Sequence, residues 1–306
     1  MPKFRFYPLI LLLSVLLAAC QPTAPTGDNQ IEALATTSIV ADVVQQVGGD
    51  VINVTALLPP GSDPHSFQPA PRDMALVSEA DIIFANGAGL EEFLQPLIDS
   101  AGASTRVVEV STGITLLEAP SGEEDEHEEH AGDPHTWVDP NNVLVWVENI
   151  RAALTELTPE HAAEFQANAE RYTAELRELD AWIRDQVATI PQENRLLVTD
   201  HLVYGYFAER YGFEQVGALI PGFSTASAPS ARELAQLETA ILQYHVPAIF
   251  IGEATSTALA QRVADDTGVR LVKLYHASLT EPGGDAPTYI DMMRYNVSAI
   301  TSALAP

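Results

Sequence analysis

The sequence predicts an α/β protein: two βα lobes with mainly parallel sheets, joined by one long backbone helix. Two observations predict the lobes. Short apolar runs alternate with segments whose apolar residues recur every three or four positions, once before residue 157 and again after residue 191. Strands that alternate with helices in this way form parallel sheets with helical crossovers. A third observation predicts the connector. Phe165, Ala169, Tyr172, Leu176, Leu179, Ile183, Val187 and Ile190 form a single apolar stripe, which fits one helix of about 30 residues, roughly 45 Å long. Thr158 reads as its cap, with Pro159 at the first helical position. Such a stripe also suits a coiled-coil partner; the second βα run after it favours a helix lying along both lobes.

Residues 1–20 read as an export signal. Lys3 and Arg5 give a positive start, and Leu9 to Leu17 an apolar run too short to span a bilayer. Leu17-Ala18-Ala19-Cys20 closes it and resembles a bacterial lipobox, which implies cleavage before Cys20 and lipid attachment to its thiol. Acyl chains there would hold the protein at a membrane surface, outside the cytoplasm, with its body in water. Residues 21–30, rich in Pro, Thr, Gly and Asn, read as a flexible tether. The N-terminal lobe is expected over 31–157, with strands at Ile31–Ala35, Val51–Leu58, Asp81–Ala85 and Arg106–Val110. Its helices are expected at Ile39–Val47, Arg72–Glu79, Leu90–Ser100 and Val143–Leu157. An acidic, histidine-bearing loop spans 121–132. Asn86-Gly87-Ala88-Gly89 lacks the third glycine of a dinucleotide loop and reads as a structural turn. The linking helix occupies 158–190. The C-terminal lobe, 191–306, has expected strands at Arg195–Thr199, Gln215–Ala218, Ala248–Gly252 and Arg270–Leu274. Helices are expected there at Val203–Tyr211, Ser230–Tyr244, Thr257–Thr267 and Thr288–Ala303.

Composition narrows the chemistry. The 306 residues carry a net charge of −27, from 15 Lys+Arg against 42 Asp+Glu, which excludes nucleic acid and suits a handler of cations. With a single cysteine there is no disulfide framework and no thiolate cluster. A metal would have to be held by His, Asp, Glu or water.

Three histidines sit where a metal ligand would. His65 lies in Asp63-Pro64-His65 and His135 in Asp133-Pro134-His135, each followed shortly by another proline. Asp-Pro biases the chain away from helix, so each imidazole is held on a short, stiff loop. His201 follows the apolar run Leu196–Val198 and should stand at a strand's carboxyl end, where ligands of open parallel sheets bind. Three imidazoles suit Zn²⁺ and also Mn²⁺ or other divalent cations. A metal-bound ring needs an acceptor on its other nitrogen; Asp139 and Glu253 are the expected acceptors.

Asp63-Pro64-His65-Ser66-Phe67-Gln68-Pro69, Asp133 to Pro140, His201 with Tyr204-Gly205-Tyr206-Phe207, and Tyr289 to Asn296 together resemble the zinc/manganese-binding solute-binding proteins of bacterial ABC importers. The resemblance runs from about Ala35 to Ala303. It implies two lobes joined by one long helix, with the metal in the cleft between them, and a permease as partner. It carries the ligand role onto His65, His135 and His201. A histidine at the third position, where manganese members often have Glu, points to zinc. The family commonly supplies an aspartate after the last strand, but Ala277 stands at that place, so water, His276 or Glu253 remains for the fourth donor. His127 and His130, among Glu123 to Glu129, resemble the accessory loop of zinc members, expected to raise the local metal concentration. No oligomer interface is evident, and a monomer is expected. Two other classes stand beside this one. A zinc hydrolase would use three histidines and a water, with Glu253 as base, yet His127 and His130 are three apart, not four as in His-Glu-x-x-His. A surface adhesin would need a partner-binding patch that the scattered Tyr and Trp do not form.

Overall fold

The computed structural model describes residues 30–118 and 132–305. Within them the chain builds two four-stranded, all-parallel sheets. The first holds β1 (Ile31–Ala35), β2 (Ile52–Ala56), β3 (Ile82–Ala85) and β4 (Arg106–Glu109), in the order β2-β1-β3-β4. The second holds β5 (Leu196–Thr199), β6 (Glu214–Ala218), β7 (Ala248–Gly252) and β8 (Arg270–Leu274), in the matching order β6-β5-β7-β8. The central strands β3, β5 and β7 are buried along their whole length, as expected of parallel strands covered by helices on both faces. In both sheets the order reverses between the first and third strands. The crevice outside the carboxyl ends at such a reversal is where open α/β sheets bind ligands.

The crossover helices of the first lobe are α1 (Ser38–Gly48), α2 (Pro71–Glu79) and α3 (Leu94–Ala101). α1 starts with the Thr37 hydroxyl accepting from Val40 N, a cap worth about 1 kcal/mol. α3 begins four residues later than the periodicity predicts. The reason is Glu91: its carboxylate accepts from Asn86 N, Gly87 N and the Thr36 hydroxyl, so residues 86–93 wrap around it as a loop. Gly87 and Gly89 adopt left-handed φ of 77° and 83° there, the structural turn expected.

α4 (Pro140–Leu157) and α5 (Ala162–Val187) follow, then α6 (Gly205–Tyr211), α7 (Ala231–Tyr244), α8 (Thr257–Thr267) and α9 (Tyr289–Leu304). The connector differs from expectation at both ends, stopping at Val187 and starting later than residue 158. Thr158 closes α4, its backbone N–H bonding Leu154 O, and makes no side-chain cap. Pro159 opens a separate 3-10 turn, Pro159–His161, so α5 has 26 residues and runs about 39 Å. All eight residues of the predicted stripe are buried, none above 4% exposure. They join one core with Val43 and Trp146 from the first lobe and Phe250, Leu274 and Val297 from the second. α5 is thus the shared floor of both lobes. Smaller cores close the outer layer of each lobe, around Leu34 and Val77 in one and Leu237 and Ile249 in the other. No helix among the described residues is long and apolar enough to cross a membrane. Cys20, His127 and His130 lie outside the described residues.

Candidate metal centre

His65, His135 and His201 meet in the cleft. His65 comes from the loop after β2, His135 from the turn before α4, and His201 from the residues that follow β5. The Nε2 of His135 stands 3.1 Å from that of His65 and 3.2 Å from that of His201. Nitrogens about 2.0 Å from a tetrahedral ion stand roughly 3.3 Å from one another, so His135 sits at donor spacing from both other rings, and all three ligand nitrogens lie within 4.8 Å of one another. His135 and His201 are 1% and 3% exposed, while His65 is half-buried on the cleft side.

The far side of two rings fixes which nitrogen faces the centre. Asp133 Oδ1 accepts from the backbone N–H of His135 at 2.9 Å and lies 2.7 Å from its ring Nδ1. Asp200 Oδ1 likewise accepts from His201 N at 2.9 Å and lies 3.0 Å from its Nδ1. Each oxygen faces its ring as an acceptor, and the proton is therefore assigned to Nδ1. That assignment from the network leaves Nε2 of both rings as a bare lone pair. Two lone pairs then face each other at 3.2 Å. Protonating the His135 ring is disfavoured: burial, then the neighbouring His201 and His65, hold it well below the usual imidazole range. Burial, then His201, brings His65 down to about 4. A cation between the nitrogens is the arrangement that relieves this repulsion.

Asp133 is buried enough that its pKa rises to about 7, which the backbone bond from His135 only partly offsets. Burial also pushes Asp200 up, but the charge of His276 and the bonds from His201 outweigh it and hold the carboxyl well below its usual range. Asp200 Oδ2 accepts from Gly252 N at 2.8 Å and from the Thr255 hydroxyl. Position 252 must be glycine: a Cβ there would overlap the His276 ring and press on Asp200.

The other expected residues take different places. Asp139 orients no site ring. Its carboxylate accepts from Asn141 N to cap α4 and pairs with Arg210 at 3.4 Å, because a helix that starts at Pro140 leaves first-turn N–H groups needing an acceptor. Glu253 orients no ring either. Its oxygens accept from His276 N at 3.1 Å and from Ser278 N at 2.7 Å, so it braces the segment after β8. His276 falls in a second cluster with Asp200 and His201, not with the three converging nitrogens. Its Nε2 is 3.4 Å from Asp200 Oδ2, and burial, which lowers an imidazole pKa, is overcome by Asp200, leaving His276 at about 8. The acceptors that sequence reasoning missed, Asp133 and Asp200, stand two and one residues before their histidines. The repeated Asp-Pro-His was the available signal. In its second copy the aspartate also turns back onto the ring; in the first, Asp63 Oδ1 holds only the His65 backbone N–H at 3.0 Å.

The comparisons bear on this geometry. The family described as "Zinc-uptake complex component A periplasmic" matches residues 34–303. The chain belongs to this family. Its members are solute-binding proteins and not enzymes, and the chain is the substrate-binding component of a metal ABC importer. It is 35% identical over 309 residues, all of both chains, to the "Manganese-binding lipoprotein MntA" of Halalkalibacterium halodurans. It is 32% identical over 275 residues, 89% of this chain and 86% of the other, to the "Iron-binding protein YfeA" of Yersinia pestis. Among solved structures, the periplasmic zinc-binding protein TroA of Treponema pallidum superposes with a TM-score of 0.80 at 29% identity, over 90% of this chain and all of that one. The Mn-bound periplasmic metal-binding protein of Candidatus Liberibacter asiaticus gives 0.79 at 28% identity with the same coverage.

Proposed function

We propose that this chain is the Zn²⁺ receptor of its importer. It captures the ion outside the cytoplasmic membrane through His65, His135 and His201 and passes it to a permease. The observation that carries this reading is the pair of lone pairs on His135 and His201, with His65 beside them, at the spacing of donors around one ion. Zinc is favoured by the donor set. Three neutral imidazoles are borderline donors, and Ala277 lines the site where a carboxylate would make it harder and more anionic. Mn²⁺ is the second reading, favoured by the names of relatives such as the MntA lipoprotein. Cys20 supplies the lipid anchor, His127 and His130 collect cations near the mouth, and the receptor works as a monomer.

Competition calorimetry on metal-free protein decides between the ions. Zn²⁺ should bind at least a hundredfold more tightly than Mn²⁺. A site that prefers Mn²⁺ contradicts the zinc reading, and a site that binds neither contradicts the receptor.

A further inference from the structure

We infer that the cation is bound together with a small organic carboxylate anion, which supplies the fourth donor from a cavity beside Ala277. The inference rests on the three histidines being ligands. Its starting point is the donor tally. Among the described residues, no carboxylate, thiolate or fourth imidazole joins the group formed by His65, His135 and His201.

The nearby carboxylates are all committed elsewhere. Asp200 receives two N–H groups of His201 on one oxygen and Gly252 N with the Thr255 hydroxyl on the other. Asp63 receives His65 N on one oxygen and the hydroxyls of Ser66 and Thr225 on the other. Glu253 is spread across the backbone of 276–278. To turn any of these toward an ion would strip buried N–H groups of their acceptor.

The space beside the rings is larger than a water needs. The cavity that contains the three histidines measures about 230 Å³, whereas a single water fits in roughly 10–15 Å³. Most of its remaining surface is apolar, with Leu219, Ile220, Leu259 and Ala277 in the wall, although Asp63, Asp200 and His276 also line it. A dication facing such a wall is poorly served by water alone, and a charged oxygen donor beside it interacts strongly because the wall screens little. The methyl-bearing end of a carboxylate suits that wall. Ser256, an exposed residue at the cavity's rim, makes no side-chain bond to the helix it caps. The chain would then take up a metal–carboxylate pair, with the anion doing what a protein aspartate at position 277 would do.

The test is zinc calorimetry on the protein in matched ionic strength, with sodium chloride, sodium acetate or sodium bicarbonate, joined to equilibrium dialysis with labelled acetate. Acetate should tighten apparent zinc affinity about tenfold, and one acetate should be retained per protein only when zinc is present. Ala277→Asp should bind zinc with the same affinity in all three salts. Equal affinity in chloride and acetate, with no labelled acetate retained beside bound zinc, overturns the inference and leaves the zinc receptor standing. Tightening by bicarbonate alone overturns it as well, since the donor would be an inorganic anion. Protein that binds no zinc in any salt removes both readings. The dialysis uses only the unmodified chain, so the outcome does not depend on the variant folding.

Discussion

Two aspartates decide what His135 and His201 can do. Asp133 and Asp200 each hold an Nδ1–H, and so each leaves an Nε2 lone pair in the cleft. Replacing Asp200 with Asn removes the charge and lets an amide N–H face the ring, which favours the wrong tautomer. Asp200→Asn should weaken zinc binding about 10–100-fold, read by chelator competition, whereas Asp139→Asn should leave it unchanged because Asp139 caps a helix. Equal losses for the two variants would contradict the assignment. Proton competition gives a second prediction. Metal binding requires neutral rings, and His65 is lowered to about 4 with His135 well below 6.5. Affinity should therefore hold through pH 6, where free imidazoles of pKa about 6.5 are already mostly charged, and fall as pH drops toward about 4. Dialysis against zinc across this range checks it, and loss centred near 6.5 would contradict the burial argument. At this scale the sequence was legible in part. The histidines stood out because Asp-Pro stiffens their loops. Their acceptors did not, because whether an aspartate folds back onto a ring or caps a helix depends on backbone turns that residue type leaves open.

At the scale of elements, the stripe on α5 is readable from Phe165 to Val187 because one face of a long helix must bury a periodic pattern, and Ile190 is buried just beyond the helix's end. Its start is not readable, since Pro159 fits the first turn of a 3-10 segment as well as that of an α-helix. The first turn of α3 is not legible because Glu91 takes donors from the Asn86 and Gly87 backbone just before it and from Thr36, far away in sequence. Leu179, fully buried on α5 against both lobes, gives the direct check on the helix. Leu179→Ala should cost about 2–5 kcal/mol in urea unfolding, and a loss below 1 kcal/mol would contradict a shared core. The loop that carries His65 is tied to the other lobe by the Thr225 hydroxyl on Asp63 and by Gly61 N on the Ser278 hydroxyl at 2.7 Å. Thr225→Val should therefore speed zinc release severalfold by stopped-flow chelation while changing the unfolding midpoint little. An unchanged release rate would show that the tie does not hold the loop.

The whole molecule follows from repetition. Two sheets of identical strand order present their carboxyl ends to one cleft, and three histidines reach it from segments 136 residues apart at the extremes, His65 to His201. The alternation of strands and helices makes the two lobes legible, and the apolar run before His201 places that residue at a strand's carboxyl end. The spacing of the rings belongs to tertiary packing, and no linear pattern carries it. Because the donors come from both lobes, an ion should bind only the assembled protein and stabilise it by about 4 kcal/mol when present at a thousand times its dissociation constant. The central claim is that three imidazole nitrogens share one ion. X-ray absorption at the zinc edge on the loaded protein tests it most directly. The account predicts three imidazole nitrogens and a lighter oxygen contribution at about 2.0–2.1 Å; a spectrum with one imidazole or none, dominated by oxygen scatterers, would contradict it.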